Sequence, residues 1–153
     1  MSAMPFLAAI LATMSPADRR EAEFQAFVYA VGMVESGMNH NAIGDKGAAL
    51  GAYQMHAAAW KDTNEFLKSV KLPVWPRSQW RNKEAQHTMA YTFLRICERR
   101  LIDHGVKNPT PQQVYLVYAM GWDAYGVKKR KPTKAQASAA DRVNNLFVQS
   151  ITK

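Results

Sequence analysis

Cysteine is almost absent from this sequence, which has a single example, Cys97, among 153 residues. One cysteine excludes an internal disulfide and any metal site that needs several thiolates. Cys97 lies in a helical pattern, where we expect a small core residue. The four histidines lack the paired spacing of a metal-binding helix, and no glycine-rich nucleotide or phosphate-loop pattern occurs. The sequence therefore implies no metal and no cofactor.

Long apolar runs are also missing, since no segment reaches the roughly 18 apolar residues that a transmembrane helix needs. The apolar run from Met4 to Met14 has no Lys or Arg before it, and a helix start follows it. We therefore interpret this run as a first helix rather than as a signal peptide. The length of the chain predicts one domain, residues 1–153, with a monomer as the default assumption.

Acidic residues are few compared with basic ones. The sequence has 12 Asp and Glu and 20 Lys and Arg, which gives a formal net charge of +8. Such a chain favours polyanions, including nucleic acid, anionic lipid and an anionic cell wall. The basic run from Lys128 to Lys131 fits either phosphate contacts or a solvated loop. A small nucleic-acid-binding domain is an alternative that the charge favours. No convincing recognition helix supports it, so we expect no nucleic-acid partner.

Residues that typically start or end helices occur along most of the chain. Ser15 can cap a helix whose first residue is Pro16, and Gly37 can end it. Further helical patterns, bounded by proline, glycine or a capping threonine, span residues 57–69, 83–104, 111–120 and the segment after Thr133. The sequence predicts a predominantly α-helical fold.

The helical period disappears between Asn39 and Gly51. This stretch is rich in Asn and Gly, which favour turns or a small hairpin. The predicted fold class is therefore α+β, predominantly α-helical, with a small β-hairpin region after the helix that starts at Pro16.

Glu35 continues an apolar stripe on that helix. Phe24, Val28 and Val31 precede it by 11, seven and four residues, which places these side chains within roughly 40° of Glu35 around the helix axis. A carboxyl on a core-facing stripe is unusual, and its desolvation raises the pKa. A carboxyl that is protonated near neutral pH is what a general acid requires. The alternative is a helix-end Glu that turns to solvent or pairs with a Lys.

The residues that follow Glu35 form a recognisable pattern. A Glu-Ser pair is followed by an Asn-rich and Gly-rich turn, and then by Gly51, two further residues, Gln54 and Met55. This run, from about Val31 to Trp60, resembles the catalytic segment of the lysozyme-like lytic transglycosylases, in the superfamily of soluble lytic transglycosylases and goose-type lysozymes.

A second, weaker similarity to this family lies at residues 117–121. The chain keeps Tyr118 and Gly121 but has Ala119 where the family usually has Asn. This departure puts one polar contact in doubt and leaves the acid in place. It also keeps open a non-catalytic glycan-binding module on the same fold.

The resemblance implies a lysozyme-like fold and an enzyme that acts on peptidoglycan glycan strands. Glu35 would protonate the bond between N-acetylmuramic acid and N-acetylglucosamine and then act as a base, while the C6 hydroxyl closes a 1,6-anhydro ring. Ser36, Tyr53, Gln54 and Tyr118 would contact the substrate, and Tyr118 would help to orient Glu35. Tyr53 and Trp60 could also stack on sugar rings, although a tryptophan in the position of Trp60 more often belongs to the core.

The main alternative within this class is a lysozyme-type hydrolase. An inverting hydrolase needs a second carboxylate that activates water, about 6.5–9.5 Å from the acid. Asp45 is the nearest candidate in the sequence, and it also fits an exposed turn. Either enzyme would work at the bacterial cell wall, in the periplasm or at the cell exterior, delivered by a phage or exported by a route other than a signal peptide.

Overall fold

α-Helices form most of the structure. The computed structural model describes residues 4–152, and the side chains of residues 9–152. Within that range, six α-helices follow one another in the order α1 (Met4–Thr13), α2 (Pro16–Ser36), α3 (Ala57–Ser69), α4 (Lys83–Asp103), α5 (Pro111–Met120) and α6 (Lys134–Thr152). This confirms the prediction of a predominantly helical chain.

A small antiparallel sheet separates α2 from α3. Strand β1 (Ile43–Gly44) pairs with β2 (Ala49–Leu50), and a short 3-10 turn over Asp45–Gly47 joins them. The hairpin predicted between α2 and α3 is therefore present, and the α+β class is confirmed in this coarse sense.

The helix ends follow the local chemistry that the sequence indicated. The side chain of Ser15 accepts a hydrogen bond from the backbone N–H of Asp18. Gly37 ends α2 with φ of 66°, a left-handed conformation that costs glycine little. Thr110 and Gln113 form a reciprocal capping box at the start of α5, as Thr133 and Gln136 do at the start of α6.

Helix α6 packs against α1, α2 and α5, while α4 packs against α3 and α5. The buried face of α2 meets α4 and α6 through aromatic and aliphatic side chains, and Cys97 lies fully buried on α4, where burial raises the pKa of its thiol to about 12. Hydrogen bonds connect the C-terminal end of α2 and helix α5 to the segment after the hairpin, from Ser36 to Ala52 and from Tyr118 to Tyr53. None of the helices in residues 4–152 has the length and the apolar run that crossing a bilayer requires.

Candidate active site

Glu35 lies in the last turn of α2, partly buried, and faces α5. Its Oε1 accepts a hydrogen bond of 2.6 Å from the hydroxyl of Tyr115. Tyr115 is 4% exposed, so a buried phenol holds the carboxyl in one orientation. The apolar stripe of α2 thus brings the carboxyl into the protein, as the sequence predicted.

Burial is the largest influence on Glu35, and it raises the pKa of this carboxyl above its usual value. The negative charge of Asp45 raises the pKa further, whereas the hydrogen bond from Tyr115 lowers it. The nearby side chains of His56 and Arg142 also lower it. The net shift is upward, which favours the protonated form that a general acid needs.

The hairpin is fastened to the end of α2 by Ser36. Its Oγ donates a hydrogen bond of 2.6 Å to the carbonyl of Ala52 and accepts one of 3.0 Å from the N–H of Asn39. The predicted role of Ser36 was substrate contact. Its single donor is used within the protein, so the structure gives it a positioning role.

Gln54 lies against the glycine of strand β1. Its Nε2 donates to the carbonyl of Gly51 at 2.9 Å, and its backbone has a φ of 51°. A Cβ on Gly44 would overlap the Oε1 of Gln54. The absence of a side chain on Gly44 therefore leaves room for this amide, which lies partly exposed beside the hairpin.

Asp45 begins the turn of the hairpin in a left-handed conformation. Asp45 and Lys46 have φ values of 46° and 55°, which cost residues with a Cβ some free energy. The carboxylate Oδ2 lies 2.9 Å from Nε2 of His56, and both side chains are more than half exposed. A hydrogen-bonded Asp–His pair thus lies close enough to Glu35 to affect its pKa.

Tyr118 and Tyr53, the two tyrosines expected to contact substrate, make hydrogen bonds within the protein instead. The hydroxyl of Tyr118 donates to the backbone carbonyl of Tyr53 and not to Glu35. The ring of Tyr53 is 3% exposed and its hydroxyl lies 3.2 Å from Nδ1 of His87. The prediction that Tyr118 orients Glu35 is therefore wrong, because Tyr115 makes that contact. Tyr53 offers no open ring face for stacking on a sugar.

Trp60 belongs to the core and not to an open binding surface. It is 3% exposed, and its Nε1 donates to the carbonyl of Trp75 at 2.8 Å. Ala119, at the position where the resembled family has Asn, lies on the exposed side of α5.

Three contributors to the site were missed by the sequence analysis: Tyr115, His56 and Gln86. Tyr115 lies one helical turn before Tyr118, with ring centroids 6.3 Å apart, so the two share a face of α5. That spacing was the available signal, and it could not decide which phenol reaches Glu35. His56 and Gln86 carried no local signal. Asp45, the partner of His56, is 11 residues away, and two of the three partners of Gln86 are 34 or more residues away.

A cavity of about 690 Å³ lies elsewhere, beside the N-terminal half of α2. Arg95 lines it and is already paired with Glu21 at 2.9 Å and Glu98 at 3.0 Å. Glu35, Asp45 and Gln54 do not line this cavity.

No group of three or more His, Cys, Asp or Glu side chains that could hold a metal ion occurs in the described part of the chain. Comparisons with protein-family models, with curated proteins and with solved structures found no match.

Proposed function

We propose that this protein is a peptidoglycan-cleaving enzyme with a lysozyme-like fold, and that Glu35 is its general acid. The observation that carries the proposal is the Glu35 carboxyl, which is partly buried, has a raised pKa and is held by the hydroxyl of Tyr115 at 2.6 Å. The resemblance of residues 31–60 to the catalytic segment of lytic transglycosylases supplies the substrate class. The site of action would be the bacterial cell wall.

The proposed reaction needs one carboxyl. Glu35 donates its proton to the oxygen that links C1 of N-acetylmuramic acid to the next sugar, and the C1–oxygen bond breaks. The resulting carboxylate takes the proton of the C6 hydroxyl on the same muramic acid, whose oxygen bonds to C1 and closes a 1,6-anhydro ring. The proton returns to Glu35, so the acid is restored without a water molecule. Gln54, beside the hairpin, supplies an amide that suits an N-acetyl group.

A second candidate is a hydrolase that cleaves the same bond, and the Asp45–His56 pair favours it. The two side chains lie 2.9 Å apart and remain largely exposed. A carboxylate and an imidazole in contact can take a proton from water, as an inverting hydrolase requires. In that case the products would carry free reducing ends instead of anhydro rings.

Replacing Glu35 by Gln tests the proposal. We expect cleavage of purified peptidoglycan, measured as the release of soluble muropeptides, to fall by at least about a thousandfold, because the amide has no proton to donate. Glu23→Gln on the same helix is the matched control, since Glu23 pairs with Arg19 at the surface. Its activity should equal that of the wild type. Full activity in Glu35→Gln would contradict the assignment of the acid.

The same variant should remain folded. When folding raises the pKa of an acidic group, the protein becomes less stable as the pH rises from the pKa of that group in the unfolded state toward its pKa in the folded state. The reason is that the group ionises less readily when it is buried. The amide that Glu35→Gln introduces cannot ionise, and its oxygen can still accept the hydrogen bond from Tyr115. We therefore expect the free energy of unfolding at neutral pH to be equal to that of the wild type or higher.

A further inference from the structure

The connection between α3 and α4 exposes aliphatic side chains at alternate positions. Val70, Leu72 and Val74 are 47%, 53% and 49% exposed, and residues 70–74 are all exposed. Isolated exposed aliphatic residues are common and need no explanation. Three within five consecutive exposed residues form a small apolar surface that nothing in the described structure covers. We refer to residues 70–74 as the apolar turn.

The backbone of the apolar turn is well defined. The N–H of Leu72 donates to the carbonyl of Leu67 at 2.9 Å, and the N–H of Lys71 donates to that of Lys68 at 3.1 Å. These are the two hydrogen bonds of a Schellman motif at the end of α3. The left-handed position of this motif usually holds glycine, but here it holds Lys71 with φ of 61°. A cation thus occupies a strained position beside Val70 and Leu72.

The charge around the apolar turn is predominantly positive. Residues 66–83 contain five cationic side chains and no Asp or Glu, and the cations are Lys68, Lys71, Arg77, Arg81 and Lys83. Among the described residues, none of the five makes an ion pair with a carboxylate. The acids that flank this range are Glu65 and Glu84. Glu65 lies 3.9 Å from Lys61 and lines one groove with Lys68 and Val74, so the cations outnumber the acids at the turn.

Exposed aliphatic side chains next to cations distinguish between two kinds of anionic partner. A soluble polyanion would use the cations and leave the three aliphatic side chains in water. The interface of an anionic bilayer accepts both, because aliphatic side chains enter below the headgroups while lysines extend to the phosphates. We propose that the apolar turn docks on an anionic phospholipid surface, with Val70, Leu72 and Val74 inserted and Lys68 and Lys71 at the phosphates.

The turn is linked to the hairpin through Arg77. Its Nη2 donates to the carbonyls of Ala48 at 3.0 Å and Met55 at 3.3 Å. Docking of the turn would therefore hold the hairpin in a fixed orientation to the lipid surface. The membrane proposal rests on exposure and charge alone, so it does not depend on the proposed glycan chemistry.

The first test replaces Val70, Leu72 and Val74 together by Ser, which keeps every charge. Sedimentation with vesicles of phosphatidylglycerol and phosphatidylcholine should show at least a tenfold weaker affinity than the wild type, while binding to soluble heparin stays unchanged. Vesicles of phosphatidylcholine alone should bind neither protein well. Equal vesicle affinity of the wild type and the triple variant would overturn the proposal, and so would wild-type binding to heparin without binding to anionic vesicles.

The second test uses two lysines with the same backbone strain. Lys71 and Lys129 have φ values of 61° and 53°, and Lys129 lies in the connection between α5 and α6. Replacing either by Gly removes one charge and relieves one strained conformation, so the Tm should rise similarly in both. Only Lys71→Gly should weaken vesicle binding, by about fivefold for one lysine at a lipid surface. Equal weakening by both variants would attribute binding to net charge and overturn the proposal.

Discussion

Among single residues, Glu35 shows two opposing influences on its pKa, which are burial and the hydrogen bond from Tyr115. Burial raises the pKa, and the phenol lowers it because it donates to the ionised carboxylate. Asp45 adds a negative charge that raises the pKa, and the nearby His56 and Arg142 lower it. Burial therefore favours the protonated form of the carboxyl, and the hydrogen bond from Tyr115 holds it in one orientation.

Tyr115→Phe should make Glu35 a weaker acid. Loss of the hydrogen bond at 2.6 Å removes an influence that lowers the pKa, so the pKa of Glu35 should rise. The alkaline limb of the pH–rate profile, where the proton of Glu35 is lost, should then move to higher pH. Stability should fall by about 1 kcal/mol. Tyr118→Phe is the control, because Tyr118 donates to a backbone carbonyl. An unmoved limb in Tyr115→Phe would show that the phenol does not tune the acid.

Gly44 is a second residue-scale determinant, because it leaves room for the amide of Gln54. In Gly44→Ala the new Cβ would overlap the Oε1 of Gln54. The flexible amide can move, so we expect little loss of stability and a marked loss of glycan cleavage. Gly47→Ala is the matched control: its Cβ meets no atom within 4 Å, but its φ of 94° makes the backbone strained. It should lose about 1 kcal/mol of stability and keep its activity per folded molecule.

If Gly44→Ala retains wild-type kcat/KM, the position of Gln54 is not important for catalysis. The site would then rest on Glu35 and Tyr115 alone.

At the scale of elements, the amide of Gln86 joins α4 to the loops on either side of the hairpin. Its Oε1 accepts from the N–H of Ala52 at 2.9 Å, and its Nε2 donates to the carbonyls of His40 at 2.8 Å and Trp80 at 2.7 Å. The side chain is 3% exposed. One buried amide thus satisfies three backbone groups from three segments.

Gln86→Leu should therefore be strongly destabilising. The leucine has a similar volume but leaves three backbone groups without this partner, at a cost of about 3 kcal/mol or more. Urea unfolding measures this loss directly. Gln149→Leu on the exposed side of α6 is the control and should change stability by less than about 0.5 kcal/mol. A similar small change in Gln86→Leu would mean that water replaces the amide.

The elements themselves could be predicted well from the sequence, because their signals are local. Pro16, Pro111 and the threonine caps lie at the helix starts, and the glycines between α2 and α3 indicated the hairpin. The contacts between elements could not be predicted in the same way. Tyr115 and Glu35 lie 80 residues apart in the chain, and the choice of Tyr115 over Tyr118 depends on how α5 is rotated against α2.

At the scale of the whole molecule, two surfaces with different chemistry coexist. One brings the end of α2, the hairpin and α5 together around a carboxyl with a raised pKa. The other is the apolar turn, where cations outnumber acids and which Arg77 links to the hairpin. The net charge of +8 suits both, since the bacterial wall and anionic lipid attract cationic proteins. Composition alone indicates a polyanionic partner but does not locate either surface.

Mass spectrometry of the fragments that wild-type protein and Glu35→Gln release from purified peptidoglycan tests whether Glu35 cleaves the glycan strand. We predict fragments that end in 1,6-anhydromuramic acid from the wild type and none from the variant. Fragments one water heavier would replace the transglycosylase by the hydrolase and point to Asp45 and His56. No fragments from the wild type, or the same fragments from Glu35→Gln, would contradict the proposed role of Glu35 as the general acid.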